Sequence, residues 1–198
     1  MKSKHVIPMV GPPAFDSQKT LSVNLEVYTD VERKTMYVQQ RSNFVSGTQP
    51  TLLFAKALYN WLILNKFKRL YILAGVDNSF CRDAEIRQSS ENLVYCIDRN
   101  STTRQCNDEN LVMPFEIQEN SWKFTLRGAG IAAVLDTLCK NDEKLESRTL
   151  LRFVSEGDNV YDATVLAKVA AAELLDKASL VVPSSWEHMY GRREEGLY

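Results

Sequence analysis

Two acidic side chains, Glu156 and Asp158, stand one residue apart between an apolar run and an amphipathic helix. Carboxylates in such a place can act as a general base or bind a divalent cation. A metal site needs further carboxylates, so Asp77 or Asp83 would have to converge on the same point. Helix capping explains the same residue types, because Asp158 or Asn159 can accept the first helical amide hydrogens. Both interpretations are open at this point, and capping is the one that we favour.

A glycine-rich turn is the second feature with recognisable chemistry. Gly128, Gly130 and Ala133 form a G-x-G-x-x-A sequence at the start of a predicted helix, a spacing used to bind dinucleotide phosphates. Such a fingerprint normally opens the first βα unit of its fold, whereas this one lies in the second half of the chain. No acidic residue follows at the end of the next strand, where the ribose partner belongs. We therefore expect a tight turn that needs small residues.

Other catalytic motifs are absent from the sequence. It contains no G-x-S-x-G nucleophile motif and no phosphate-binding P-loop. The 4 cysteines form no C-x-x-C pair, and the 2 histidines lie near opposite ends of the chain, so the close ligand spacing of a zinc site is missing. We expect no catalytic residue, no metal and no cofactor, and hence a protein that is not an enzyme.

Hydrophobic periodicity predicts the elements that position these residues. Residues 149–155 are mostly apolar and predict a buried strand, and a helical stripe follows to residue 175. Residues 21–28 alternate between apolar and polar side chains and predict, with residues 35–39, a β-hairpin with one face buried. Further strands are predicted at residues 69–76 and 92–97, and further helices at residues 51–66 and 131–140. This alternation predicts a three-layer α/β/α sandwich with a mixed sheet.

The composition is that of one soluble globular domain. A chain of 198 residues with 44% hydrophobic content can build one core, and we assign residues 1–198 to a single α/β domain. The net charge of -1 gives no reason to expect nucleic acid or an anionic membrane as a partner. The apolar runs are too short to span a bilayer, and the N-terminus lacks a signal-peptide core. We therefore expect a cytoplasmic protein.

Polar and terminal segments complete this predicted domain. Residues 98–110 are the most polar run and predict a flexible surface loop, and residues 191–198 form a charged C-terminal tail. Residues 180–186 combine an apolar run, a proline and Trp186, which is typical of a terminal strand packed on the core. A tryptophan near an exposed edge can also anchor a partner, so Trp186 is a candidate partner-binding residue.

Several sequence blocks, in order along most of the chain, resemble a known family. They are residues 8–11 (PMVG), 21–28 (LSVNLEVY), 153–159 (FVSEGDN) and 182–186 (VPSSW), with the glycine-rich turn near residue 128. The most specific signal is FVSEGDN together with PSSW. On these residues the chain resembles the proteasome assembly chaperones, in particular the family of the second subunit of their heterodimer.

This resemblance implies a non-catalytic protein with an α/β/α fold akin to purine nucleoside phosphorylases. The implied partners are a sister chaperone subunit and the α-subunits of the 20S proteasome, in the cytoplasm and the nucleus. The heterodimer would hold α-subunits while their ring forms and would prevent off-pathway ring dimerisation. The family's C-terminal motif, a hydrophobic residue, a tyrosine and any residue, enters pockets between α-subunits. Leu197 and Tyr198 match its first two positions, but nothing follows the tyrosine.

The chain differs from the family pattern at its N-terminal end. Family members carry a further strand and helix before the segment that matches residues 6–11. We expect the lack of these elements to leave one sheet edge unpaired and apolar surface uncovered. The competing hypothesis is a nucleotide- or nucleoside-handling α/β enzyme, in which Gly128 and Gly130 would bind phosphate and Glu156 and Asp158 would supply acid–base or metal chemistry.

Overall fold

The computed structural model describes residues 4–13, 20–81, 93–100, 112–115, 126, 128–142, 144–175 and 180–186. Its strands are β1 (Val10–Gly11), β2 (Ser22–Val23), β3 (Leu25–Asp30), β4 (Thr35–Gln40), β5 (Arg69–Asp77), β6 (Val94–Arg99), β7 (Val112–Pro114) and β8 (Glu146–Val154). Its helices are α1 (Thr48–Leu64), α2 (Ile131–Asn141) and α3 (Val160–Leu174), with 3-10 turns at Asn78–Phe80 and Ser184–Trp186. Over the described ranges, every helix falls short of the length and apolarity needed to cross a bilayer.

Internal contacts divide the chain into two compact units. The first unit comprises Met1–Phe54 together with Val182–Tyr198, and the second comprises Ala55–Val181. The first contains the β3–β4 hairpin, and the second contains the larger sheet with α2 and α3. The assignment of residues 1–198 to one domain stays a prediction.

The second unit is built on a mixed sheet of four strands in the order β5–β8–β6–β7. β5 runs parallel to β8 along its whole length, from the pair Arg69–Glu146 to the pair Asp77–Val154. β6 pairs antiparallel with β8 and parallel with β7. β8 therefore begins at Glu146, before the apolar run that predicted it, because the ladder with β5 continues into polar sequence.

Helices α2 and α3 cover opposite faces of this sheet. Leu150 of β8 is fully buried in a cluster with Ala170 of α3. Arg99 of β6 pairs with Ser147 of β8, three residues before Leu150, so its side chain points to the other face. There it binds Asp136 of α2 at 2.8 Å. The predicted three-layer α/β/α sandwich with a mixed sheet is confirmed.

Buried ion pairs connect α3 to the face of the sheet that it covers. Arg148 of β8 lies 2.5 Å from Asp98 of β6 and 2.8 Å from Glu173 of α3, and its side chain is only 5% exposed. Burial by itself would lower the pKa of Arg148, but the hydrogen bonds to Glu173 and Asp98 outweigh it and raise the pKa. Arg152 of the same strand binds Asp162 in the first turn of α3 at 2.5 Å. Both ends of α3 are thus held on β8.

The polar run that predicts a flexible loop begins inside a strand. Asp98 and Arg99 are the last two residues of β6, because their side chains are ion-pair partners of Arg148 and Asp136. Asn100 follows with a φ of 58°, and its side-chain Nδ2 donates to the backbone carbonyl of Cys139 at 2.9 Å. The rest of the predicted loop, residues 101–110, lies outside the described residues.

The segment at residues 180–186 forms no strand, contrary to prediction. It ends in the 3-10 turn Ser184–Trp186, which is closed by a hydrogen bond from the Trp186 amide to the Pro183 carbonyl at 3.0 Å. Pro183 has no amide hydrogen to donate to a ladder. Val182 is 48% exposed, so this part of the segment is not packed as a terminal core strand would be.

The first unit contains two small sheets, β1 with β2 and β3 with β4. The β3–β4 hairpin has the predicted location, and Leu25 at its start is only 2% exposed. Val27 and Val38, which face each other across the hairpin, are 39% and 40% exposed. The prediction of one buried face is therefore wrong beyond Leu25. In the described part of this unit the hairpin forms a sheet of two strands, and no third strand pairs with it.

Candidate functional site

The carboxyl ends of β5 and β8 lie side by side, because the two strands are parallel neighbours. Asp77 ends β5 opposite Val154, which ends β8. Just beyond them the side-chain Nδ2 of Asn78 donates to the hydroxyl of Ser155 at 2.8 Å. This edge is where open α/β sheets usually form their ligand crevice. The acidic candidates of the sequence follow these two strand ends.

The carboxylate of Asp77 binds the backbone of the turn that follows it. Its Oδ1 accepts a hydrogen bond from the amide of Ser79 at 2.7 Å. That hydrogen bond lowers the pKa of Asp77, because it stabilises the charged carboxylate. Asp77 thus caps the 3-10 turn Asn78–Phe80, which accounts for an acidic residue at the end of β5.

Asp158 has the capping role that the sequence favours. Its Oδ1 accepts a hydrogen bond from the amide of Val160, the first residue of α3, at 3.0 Å. Glu156 is exposed in the preceding turn, and Asp83 lies outside the described residues. Among the residues that the structure describes, no three His, Cys, Asp or Glu side chains are grouped so that they could hold a metal ion. The two acidic side chains at this edge whose contacts are described, Asp77 and Asp158, therefore cap a turn and a helix.

Gly128 packs against an aromatic ring. A Cβ atom at this position would lie 2.4 Å from Cδ2 of Phe80, and the φ of Gly128 is +77°. Gly130 is the N-cap of α2 and also has a positive φ, of +52°. Ala133 is 4% exposed within α2. Each small residue of the G-x-G-x-x-A sequence has a structural reason, which favours the tight-turn interpretation over phosphate binding.

Of the three partner-binding candidates, one lies among the described residues. Trp186 is half-buried in its 3-10 turn in the first unit. Leu197 and Tyr198 lie outside the described residues, and their roles stay predictions.

Sequence reasoning missed an exposed apolar surface on the β3–β4 hairpin. Val27 and Val38 lie on one face, and Tyr28 and Tyr37, which are 45% and 38% exposed, pair on the other. The alternation pattern in the sequence did not reveal the second apolar face, because tyrosine was counted neither as an apolar residue nor as a polar one. Exposed apolar surface on both sides of a hairpin is typical of protein contacts rather than of a catalytic cleft.

The described part of the chain contains two cysteine thiols in contrasting environments. Cys139 of α2 is completely buried, and burial raises the pKa of its thiol. Cys81 is partly exposed just after the 3-10 turn at Asn78–Phe80. Alkylation requires the thiolate and access by the reagent. We expect iodoacetamide to modify Cys81 at least about tenfold faster than Cys139 in the folded protein, because Cys139 reacts only after local opening.

Timed peptide mapping by mass spectrometry measures both alkylation rates in one sample. In denaturant the two rates should become similar, which controls for the reactivity of the peptides themselves. Similar rates in the native protein would contradict the buried position of Cys139.

Comparison with curated proteins shows similarity to proteins named Proteasome assembly chaperone 2. The Mus musculus protein is 27% identical over 210 aligned residues, which cover 94% of this chain and 78% of the relative. The Homo sapiens protein is 24% identical with the same coverage, and the Nematostella vectensis protein is 25% identical over 81% of this chain and 70% of its own. No protein-family model matches the chain. The resemblance found in the sequence blocks is confirmed, and these relatives give no support to a nucleotide-handling enzyme.

A solved structure has a similar fold. It is the crystal structure of a protein of unknown function from Thermoplasma acidophilum, with a TM-score of 0.60 and 12% sequence identity over 89% of this chain. This chain spans 63% of the length of that protein. At such low identity the similarity concerns the fold alone.

Proposed function

We propose that this chain is a proteasome assembly chaperone. The observation that carries the proposal is its similarity to Proteasome assembly chaperone 2 along 94% of its length. The similarity extends over both compact units, so it is not confined to one sheet or one loop. The α/β/α fold accommodates many functions, and the relatives rather than the fold select this one.

The proposed mechanism is binding without catalysis. The chain pairs with a sister chaperone subunit, and the pair holds α-subunits of the 20S proteasome while their ring forms. By covering α-ring surface it prevents off-pathway ring dimerisation. It acts in the cytoplasm and in the nucleus, and it requires no cofactor. Leu197, Tyr198 and Trp186 are the residues to which we assign partner contacts.

The contacts at the carboxyl ends of β5 and β8 support a role without chemistry. Asp77 and Asp158 each bind a backbone amide of the turn or helix that follows them. Gly128 accommodates the ring of Phe80. In contrast, the hairpin of the first unit exposes valine and tyrosine side chains, which suit the surface of another protein.

Affinity purification of the tagged full chain from cells tests the proposal. We expect mass spectrometry to recover a sister chaperone subunit and proteasome α-subunits at levels above those of an unrelated tagged α/β protein. Recovery of neither class of protein would refute the chaperone role.

The C-terminal residues provide a narrower prediction. Replacing both Leu197 and Tyr198 with serine should weaken binding to α-subunits by at least about tenfold, a loss of roughly 1.4 kcal/mol, while leaving the heterodimer intact. The reason is that an apolar and an aromatic side chain can fill a pocket, whereas serine cannot. The measurement is a titration of purified heterodimer against α-subunits.

The matched control for this prediction lies in the same tail. Replacing Glu194 and Glu195 with serine changes two adjacent residues without removing an apolar anchor, and it should leave the affinity within about threefold. Equal affinity of the wild type and the Leu197→Ser, Tyr198→Ser variant would exclude the pocket contact but not the chaperone role itself.

A further inference from the structure

The turn between β8 and α3 contains a serine that is followed by acidic residues at two defined positions. In residues 155–158, SEGD, Glu156 comes directly after Ser155, and Asp158 is the third residue after it. Kinases that select acidic substrates recognise negative charge at these two positions, because basic side chains line their substrate cleft. The acidic turn, which the proposed function leaves without a role, thus has the charge pattern of a phosphorylation site.

The sequence contains one other stretch with this pattern, residues 29–32, TDVE. Thr29 lies inside β3, where it pairs with Met36 of β4. The carboxylate of Asp30 binds the guanidinium of Arg33 at 2.8 Å, so its charge is compensated within the chain. A kinase must take the acceptor segment into its own cleft, which here requires the hairpin to open. The fold therefore disfavours Thr29 as an acceptor.

The fold presents Ser155 differently. The ladder between β5 and β8 ends at the pair Asp77–Val154, so Ser155 is the first residue beyond it. Ser155 and Glu156 are both exposed. In the part of the chain that the structure describes, neither Glu156 nor Asp158 forms an ion pair, so no cation of the chain compensates their charges there. Of the two stretches, this one keeps both its hydroxyl and its charges accessible.

The hydroxyl of Ser155 retains the groups that phosphoryl transfer uses. Its Oγ accepts a hydrogen bond from Nδ2 of Asn78 at 2.8 Å, which occupies one lone pair and leaves the other lone pair and the hydroxyl hydrogen. In the transfer, Oγ forms a bond to the γ-phosphorus of ATP, and the bond from this phosphorus to the bridging oxygen of ADP breaks. The hydroxyl proton passes to the catalytic aspartate of the kinase.

We infer that Ser155 is a phosphorylation site for an acid-directed serine kinase, which recognises it through the charges of Glu156 and Asp158. The phosphate adds a charge of about −1.5 to −2 at neutral pH, directly beside Glu156. The modification therefore concentrates negative charge where β5 and β8 end. It requires only this chain, ATP and a kinase, so the inference goes beyond the proposed chaperone role and does not depend on it.

The first test incubates the full-length chain with casein kinase II and magnesium ATP, and locates the phosphate by mass spectrometry. Casein kinase II is the probe because it selects acidic residues after the acceptor hydroxyl. We expect phosphate on Ser155. The rate at Thr29 should be at least about tenfold lower, because the hairpin must open before the kinase can bind it.

The second test removes the recognised charges without removing the helix cap. Asp158→Asn retains a capping oxygen, since asparagine caps helices about as well as aspartate, and Glu156→Gln changes an exposed side chain. Each substitution should lower kcat/KM at Ser155 at least about threefold, and the two together about tenfold. The matched control is Glu32→Gln, which removes an exposed carboxylate from the other acidic stretch and should leave this rate unchanged. Circular dichroism checks that each variant is folded.

Three results would overturn the inference. The first is a native chain that takes up no phosphate on Ser155. The second is an unchanged rate at Ser155 after both charges have been removed. The third is a rate at Thr29 as high as that at Ser155, because the fold would then not select between the two acidic stretches.

Discussion

Replacing Arg148 with methionine is expected to lower the free energy of unfolding by about 3–5 kcal/mol. The side chain of Arg148 is 5% exposed and lies between the carboxylates of Asp98 and Glu173. Methionine fills much of the same volume but removes the guanidinium that binds both carboxylates, whose side chains are only 21% and 12% exposed. The Oδ1 atom of Asp98 already has no hydrogen-bond partner among the described residues, so this carboxylate depends on Arg148. Urea unfolding followed by circular dichroism measures the change.

An exposed arginine of the same sheet supplies the control. Arg69 binds Glu146 with side chains that are 49% and 42% exposed, and Arg69→Met should cost less than about 1 kcal/mol because water screens the pair. Replacing Asp98, Arg148 and Glu173 together with apolar residues should recover most of the stability, because no buried charge is then left alone. A loss of less than about 1 kcal/mol for Arg148→Met would show that the buried network is not formed in solution.

Gly128→Val is expected to be the second most damaging of these substitutions, with a loss of about 2–4 kcal/mol. Two effects combine at this position. The φ of +77° is unfavourable for a β-branched residue, and a Cβ atom would lie 2.4 Å from the ring of Phe80. Since the ring is partly exposed, it can move, but only by giving up its contact with the turn. Thermal or urea unfolding of the variant measures the loss.

The second glycine of the turn separates backbone strain from steric conflict. Gly130 has a φ of +52°, and a Cβ atom built there meets no atom within 4 Å. Gly130→Ala should therefore cost about 1–2 kcal/mol from backbone conformation alone, whereas Gly128→Ala should cost distinctly more. Adding Phe80→Ala to Gly128→Ala should remove the excess. Equal losses at the two glycines would contradict the packing of Phe80 on Gly128.

Periodicity predicted the βα unit of β8 and α3 well, because both elements follow simple local rules. Residues 149–155 carry an apolar run, and the stripe that follows repeats at helical spacing. The ends of strands were harder to predict, as Glu146 and Asp98 illustrate. Both are polar residues inside strands, and what extends the strands to include them is a ladder or ion partner far away in the sequence. Such partners are invisible to a local pattern.

The hairpin illustrates a second limit of prediction from sequence, which concerns whether a strand face is buried. The alternation in residues 21–28 shows which side chains share a face, but it does not show whether another layer covers that face. Val27 and Val38 are correctly paired and yet exposed. The presence of a covering layer is a property of the whole fold or of a partner, so it could not be read from the strand itself.

Whether a candidate-site residue could be assigned from the sequence depended on how far away its partner lies along the chain. Asp158 could be assigned as a cap from sequence, since its acceptor role involves the amide of Val160, two residues away. Gly128 could not be assigned, because the ring that requires a glycine belongs to Phe80, which lies far away in the sequence in the 3-10 turn that follows β5. The glycine spacing alone is equally compatible with a phosphate and with an aromatic ring.

The ion pairs at the two ends of α3 have a consequence for how this helix finds its place. Its sheet-facing surface includes Val165, Val169 and Ala170, which pack in one apolar cluster with Leu150 of β8, and apolar contact by itself is non-directional. Displacement by one helical turn, about 5.4 Å, would separate Arg148 from Glu173 and Arg152 from Asp162 at the same time. The two ion pairs therefore favour one register of α3 on β8, because a shifted helix would separate both arginines from these carboxylates.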